Sequence, residues 1–276
     1  MISLSDFVSK RPITCDAHTH LFDGLETDLS LLLPESKLTV TFADIKYLDP
    51  DSYAAGVIPQ AYDKFIAKSY PKIKDKVILL STSAIAEEAI AIQEKYPEII
   101  KGFGEFQCYE WSTSQSEELP YGNLKWIEPV IEYNQTKKLP VYIHYDMLGD
   151  DRVKDLDKLL NKNPDMPIVL CHCGMNRCID NYGALDTVSR LMSVHVNLWT
   201  DISYEALELF ASDKNAIKKL PDDRILIGSD LNPVIKNRPP QEARVAIDSI
   251  LMNMEVVNGY GVDFYGNLVK LFNLGK

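Results

Sequence analysis

The sequence predicts an α/β protein in which eight parallel strands, alternating with helices, close into a (β/α)8 barrel. Three observations predict it. Short apolar runs recur along the 276 residues, amphipathic stretches separate them, and each run ends in a polar residue. Strand followed by helix, repeated, builds a parallel sheet, and near-continuous apolar strands are buried on both faces. Eight such units in about 250 residues suit a closed barrel. An open doubly wound sheet would carry a glycine-rich phosphate turn after its first strand, where this chain has His18-Thr19-His20.

The first strand is expected over residues 13–20, just after Pro12. The second, 38–42, is the weakest, because SLLLPESKLTVTFADIKYLDPDSY mixes strand and turn signals. The third (76–81, KVILLS) and fourth (99–106, IIKGFGEF) are plainer, and the helix between them is expected over 84–96. That segment places Ile85, Ala89 and Ile92 together and Glu87, Glu88 and Glu94 elsewhere. Strands five to eight are 139–145 (LPVYIHY), 167–173 (PIVLCHC), 195–201 (HVNLWTD) and 224–230 (RILIGSD). Helices are expected over 124–134, 153–160, 184–192 and 204–219. Pro140, Pro167 and Pro221 mark points where a helix has already ended. Residues 249–274 read as an extra C-terminal helical segment, and no linker divides residues 1–276, so a single domain is expected.

A formal net charge of −11 argues against a nucleic-acid surface, which needs clustered Lys and Arg. No apolar run approaches the roughly 20 residues that span a bilayer. The start, MISLSDFVSKRP, lacks a basic stretch followed by an apolar one, so a cytoplasmic protein is expected. Five cysteines, an odd number, fit a reducing compartment. Cys171 and Cys173 flank His172; on a strand they would point away from it, as buried thiols.

In such a barrel the chemistry sits at the C-terminal ends of the strands. There the sequence places His18 and His20 on strand one, Glu105 on strand four, His144 on five, His172 on six and Asp230 on eight. Residues i and i+2 of a strand share a face roughly 6.5 Å apart along the backbone, so two imidazoles can lean onto one ion. Asp16 shares that face and could orient a ligand histidine. Each residue has a plainer reading alone. A single histidine is commonly a satisfied core residue, Glu105 could serve a buried ion pair, and Asp230 could cap a helix. Together, four of the five histidines and two carboxylates at equivalent strand ends point to a metal centre. His195 begins its strand and reads as structural. Asp201 reads as structural too, a cap for the helix starting near Ser203.

These residues resemble the amidohydrolase superfamily, with His-x-His on strand one, His on strands five and six, and Asp on strand eight. More closely, the chain is similar to the amidohydrolase 2 branch, related to aminocarboxymuconate semialdehyde decarboxylase. The stretches that carry the resemblance are Asp16-Ala17-His18-Thr19-His20, Pro140–His144, Ile168–Gly174, Arg224–Asp230 and the ending Gly266–Phe272. Many superfamily members bridge two metals with a carboxylated lysine on strand four; here Glu105 stands at that place, and Lys101 enters the strand too early. A bridging glutamate occurs in some relatives, including TatD-like deoxyribonucleases. The resemblance therefore implies either two ions, with His18, His20 and Asp230 on one, His144 and His172 on the other and Glu105 between, or the one-metal arrangement of the decarboxylase branch.

The resemblance implies a divalent metal, zinc first, and a small-molecule substrate. The expected reaction is hydrolysis of an amide, ester or lactone, with Asp230 as proton shuttle and His172 acting on the substrate oxygen. The alternatives are a metal-dependent decarboxylase of a carboxylated aromatic or unsaturated acid, a TatD-like nuclease, and a non-catalytic metal-binding barrel. Loop residues Tyr109, Trp111, Tyr145, Asp146, Arg177, Lys236 and Arg238 would shape specificity, with Arg177 or Arg238 as a grip for a substrate carboxylate or as plain surface. No nucleic-acid or membrane partner is expected, and a homo-oligomer is left open.

Overall fold

A computed structural model describes residues 13–23, 26–44, 57–108, 123–147, 149–175, 181–232, 235 and 238–274. Its centre is one nine-stranded sheet in the order β2-β1-β3-β4-β5-β6-β7-β8-β9. The strands are β1 (Cys15–Asp23), β2 (Glu26–Thr27), β3 (Leu38–Asp44), β4 (Val77–Ser81), β5 (Ile100–Gln107), β6 (Val141–His144), β7 (Ile168–Leu170), β8 (Leu198–Ile202) and β9 (Ile225–Ile227). All but β2 run parallel to their neighbours; β2 turns back antiparallel on the end of β1. The seam between β1 and the segment after β9 is drawn together by a parallel bridge between Thr19 and Leu231. His20 N donates to Leu231 O at 2.8 Å and Asp230 N to His18 O at 2.8 Å. The predicted (β/α)8 barrel is therefore present, nearly closed.

The strands are apolar because they are buried on both faces. β4, VILLS, is buried at every position. The weak second strand of the sequence forms fully, as β3, with Val40 and Phe42 in the core. Gly104 in β5 is dictated by its neighbour. Its φ is +106°, and a Cβ there would stand 2.2 Å from Tyr142 O of β6.

The helices are α1 (Val57–Lys68), α2 (Tyr70–Ile73), α3 (Ala86–Lys95), α4 (Glu128–Asn134), α5 (Gly149–Lys162), α6 (Asn181–Val194), α7 (Glu205–Ser212), α8 (Lys214–Ile217), α9 (Pro240–Asn258) and α10 (Phe264–Leu271). The expected helix 204–219 is broken in two. Asp213 leaves the helical path and its carboxylate accepts from Asn215 N at 2.9 Å, capping α8. The C-terminal segment begins at Pro240, nine residues before the expected 249, and Asp263 caps α10 by accepting from Gly266 N at 2.8 Å. α10 lies over β9 and β1, covering the seam, while α9 packs outside on α7. No helix among the described residues is long and apolar enough to cross a membrane.

Candidate metal centre

Five separate segments bring the six expected residues to one mouth of the barrel. His18 and His20 come from β1, Glu105 from β5, His144 from the end of β6, His172 from just beyond β7 and Asp230 from beyond β9. All are buried except His144, whose side chain is 12% exposed.

Asp230 Oδ1 lies 3.1 Å from His20 Nε2 and 3.4 Å from His18 Nε2. Glu105 stands between two groups of histidines. Its Oε1 is 3.9 Å from His18 Nε2, 3.0 Å from His144 Nδ1 and 3.4 Å from His172 Nε2, and its Oε2 is 3.7 Å from His20 Nε2. The ligand atoms thus form two overlapping groups, His18-His20-Glu105 and Glu105-His144-His172, with His18, His172 and Asp230 forming a third.

The spacing fits an ion. Tetrahedral ligands at about 2.1 Å from zinc lie roughly 3.4 Å from one another, and the separations across His18, His20, Glu105 and Asp230 run from 3.1 to 3.9 Å. His18 Nε2 and His172 Nε2 are buried and make no hydrogen bond, although a carboxylate oxygen stands 3.4 Å from each. A buried polar atom left so is costly unless something else satisfies it. Imidazole nitrogen with carboxylate oxygen is the donor set of a borderline divalent metal. Burial opposes positive charge on His18, yet the Asp201 and Asp230 carboxylates hold its pKa well above the ordinary value, so the pocket favours a cation.

Local geometry departs from the sequence reading at three places. Strand β7 stops at Leu170, and Cys171–Gly174 form a 3-10 turn in which His172 (φ 53°) and Cys173 (φ 56°) are left-handed. The strand alternation expected to turn Cys171 and Cys173 away from His172 does not apply, although both thiols are buried and free, as are Cys15 and Cys108. Second, Asp16 does not orient a histidine ring. Its carboxylate accepts from His18 N (3.2 Å), Ser229 N (2.9 Å) and Ser229 Oγ (2.7 Å), tying β1 to the segment after β9. Burial pushes its pKa up to about 6 despite those bonds.

Third, Asp201 is not a helix cap; the N-terminus of α7 has no side-chain cap. Asp201 is fully buried below the site, where Oδ2 meets His18 Nδ1 at 3.1 Å and Oδ1 accepts from His172 N at 3.1 Å. Ser203 Oγ donates to the same Oδ1 and lies 2.8 Å from His172 Nδ1. Burial works against the Asp201 carboxylate, but His18, His172 and Ser203 outweigh it and keep its pKa below the usual range. The Asp201-x-Ser203 spacing repeats that of His18-x-His20, a signal at the end of a strand that the sequence reading assigned to capping.

Asp230 takes a left-handed φ of 52° and its carboxylate faces the histidines. His195 precedes β8 and pairs through Nε2 with Asp157 of α5 at 2.7 Å, away from the site, as expected. Tyr145 and Asp146 are buried, and Arg152 of α5 stacks 3.9 Å over the Tyr145 ring while its guanidinium donates to Asp146 O and Cys108 O at 2.6 Å each. This buried arginine, missed in the sequence, ties the ends of β5 and β6 together. Arg238 is exposed. Tyr109, Trp111, Arg177 and Lys236 lie outside the described residues.

Gly228 sits against β1. A Cβ there would stand 2.5 Å from His18 Cβ and 2.8 Å from His18 N. Gly228→Ala is expected to lower stability by roughly 1–3 kcal/mol by forcing the two segments apart. An unchanged midpoint in a urea melt would refute that close approach.

A family model described as Amidohydrolase matches residues 101–253, more than half of the chain. No curated protein matches. Among solved structures the chain is similar to a dihydroorotase at 12% identity, covering 94% of this chain and 69% of that one with a TM-score of 0.59. It is similar to an amidohydrolase from Burkholderia multivorans with bound zinc at 13% identity, 95% and 99% coverage and a TM-score of 0.52. An apo structure from Agrobacterium tumefaciens matches at 14% identity, 95% and 96% coverage and a TM-score of 0.54. At these identities the likeness is one of fold.

Proposed function

This chain belongs to the amidohydrolase family, in its amidohydrolase 2 branch, and on that premise we propose that it is a metal-dependent hydrolase of a small-molecule amide, ester or lactone. The observation that carries the proposal is the pair of buried, unbonded nitrogens, His18 Nε2 and His172 Nε2, facing the carboxylates of Asp230 and Glu105. One ion would be held by His18, His20 and Asp230 with Glu105, and a second, if bound, by His144 and His172 with Glu105. Zinc suits this donor set.

A divalent ion supplies a Lewis acid and lowers the pKa of a water towards roughly 7. The chain does the rest. Asp230 takes the proton of the attacking water and returns it to the leaving group. His172 has only Nε2 for this work, because its Nδ1 meets Ser203 at 2.8 Å: with one ion bound it polarises the substrate oxygen, and with two it holds the second ion. Asp201 fixes the ring of His18 and the backbone of His172, so that neither has to reorganise during turnover. The buried setting of His18, His20, Glu105, His172 and Asp230 keeps bulk water from the reacting groups.

Two measurements test this reading. Metal analysis of the purified protein is expected to find near-stoichiometric zinc, manganese, iron or cobalt, and chelation is expected to lower the melting temperature. Less than about a tenth of an equivalent, with activity indifferent to chelator, refutes the metal centre. A panel of lactones, amides and carboxylated aromatics is expected to show ring opening or hydrolysis. Release of CO2 without hydrolysis would overturn the hydrolase in favour of a decarboxylase.

A further inference from the structure

The outer face of α9 carries an exposed apolar stripe. α9 packs Ala243, Ile250, Met254 and Val257 inward. At about 100° per residue these cluster on one side of the helix, and Val245, Met252 and Val256 fall on the opposite side within an arc of about 40°. Those three are 65%, 46% and 40% exposed. A surface helix normally turns polar residues to solvent there.

The stripe is symmetric along the helix. Val245 and Val256 are equally far from the midpoint between Ile250 and Leu251, and so are Ser249 and Met252. A second copy of α9 laid antiparallel across it therefore sets Val245 against the copy's Val256, and Ser249 against the copy's Met252. Charge follows nearly the same symmetry, the Arg244 and Glu255 pair being centred one residue from the stripe's midpoint. Arg244 and Glu255 lie on one flank of the stripe, at opposite ends. A two-fold axis through the midpoint keeps that flank on one side and reverses the ends, bringing each Arg244 beside the copy's Glu255. Asp248 lies on the same flank nearer the middle, 3.6 Å from its own Arg244 Nε, yet the Arg244 side chain remains 75% exposed and able to reach across. In that intrahelical pair the arginine is N-terminal to the acid, the weaker order on a helix.

We propose that this face is the contact surface of a symmetric homodimer, the occupant being α9 of a second copy. The contact is isologous, the same patch used twice. A helix of 19 residues spans roughly 28 Å, and one such pair buries less than the roughly 1,200–2,000 Å² of a standard stable interface. The dimer is accordingly weak and reversible.

Sedimentation equilibrium of the full chain over a wide concentration range tests the proposal. The expected result is a monomer–dimer equilibrium. Met252→Glu, or Val245→Lys as a second variant, raises the dissociation constant by at least about tenfold, with circular dichroism unchanged. Arg244→Glu and Glu255→Arg each weaken the dimer, and the two together restore it. A monomer at every concentration overturns the proposal and leaves the stripe to another partner. A dimer indifferent to both stripe variants overturns it as well, as does a double charge reversal that fails to restore association. None of these residues touches the candidate metal centre, so failure here leaves the proposed function untouched.

Discussion

Asp230→Asn is expected to fold normally and to lose turnover by about 10²–10⁴-fold. The carboxylate approaches both histidines of β1, at 3.1 Å from His20 Nε2 and 3.4 Å from His18 Nε2. An amide of the same shape keeps the packing but cannot accept the proton of an attacking water. Asp230 also reaches back through its backbone, N donating to His18 O at 2.8 Å, and that bond survives the substitution. Thermal melting should therefore change little, while kcat falls. Appreciable residual kcat with the metal still bound would refute the proton-shuttle role. A collapsed melting temperature would instead assign Asp230 to the fold.

Asp201→Asn is expected to act on the metal rather than on chemistry directly. The carboxylate receives three donors, from His18 Nδ1, His172 N and Ser203 Oγ. An asparagine offers one oxygen, and its NH2 would face another donor. At least one of those buried groups loses its partner, a cost of about 1–3 kcal/mol, or about 2–4 °C of melting temperature per kcal/mol for a chain of this size. Because Asp201 holds the His18 ring in the tautomer that turns Nε2 to the pocket, zinc affinity should fall by about 10–100-fold. Calorimetric titration of the metal-depleted protein measures it. Unchanged affinity alongside lowered stability would make Asp201 a structural residue only.

The two substitutions divide what could be read in the sequence from what could not. Asp230 was legible because it ends an apolar run, as Glu105, His144 and the histidine pair do. A polar residue at the C-terminal end of a barrel strand meets its equivalents at the same mouth, so a pattern along the chain becomes a cluster in space. Asp201 ends a strand too, but nothing in its neighbourhood told an orienting carboxylate from a helix cap. Its partner His18 is 183 residues away in sequence. Asp16, expected to orient a ligand histidine, reaches His18 only through the latter's backbone N at 3.2 Å. In the fold its carboxylate is taken up by Ser229, 213 residues away.

By itself, then, the sequence determined the barrel and the candidate ligands, because strand period, burial on both faces and the residue at each strand end are properties of short segments. The tertiary structure decided how those ligands are held. The left-handed turn at His172 presents its ring to the mouth, Gly228 and Gly104 exist because neighbouring segments approach too closely for a Cβ, and one buried carboxylate serves two histidines. Each of these follows from which segments become neighbours when the sheet closes, and closure is a property of the whole chain.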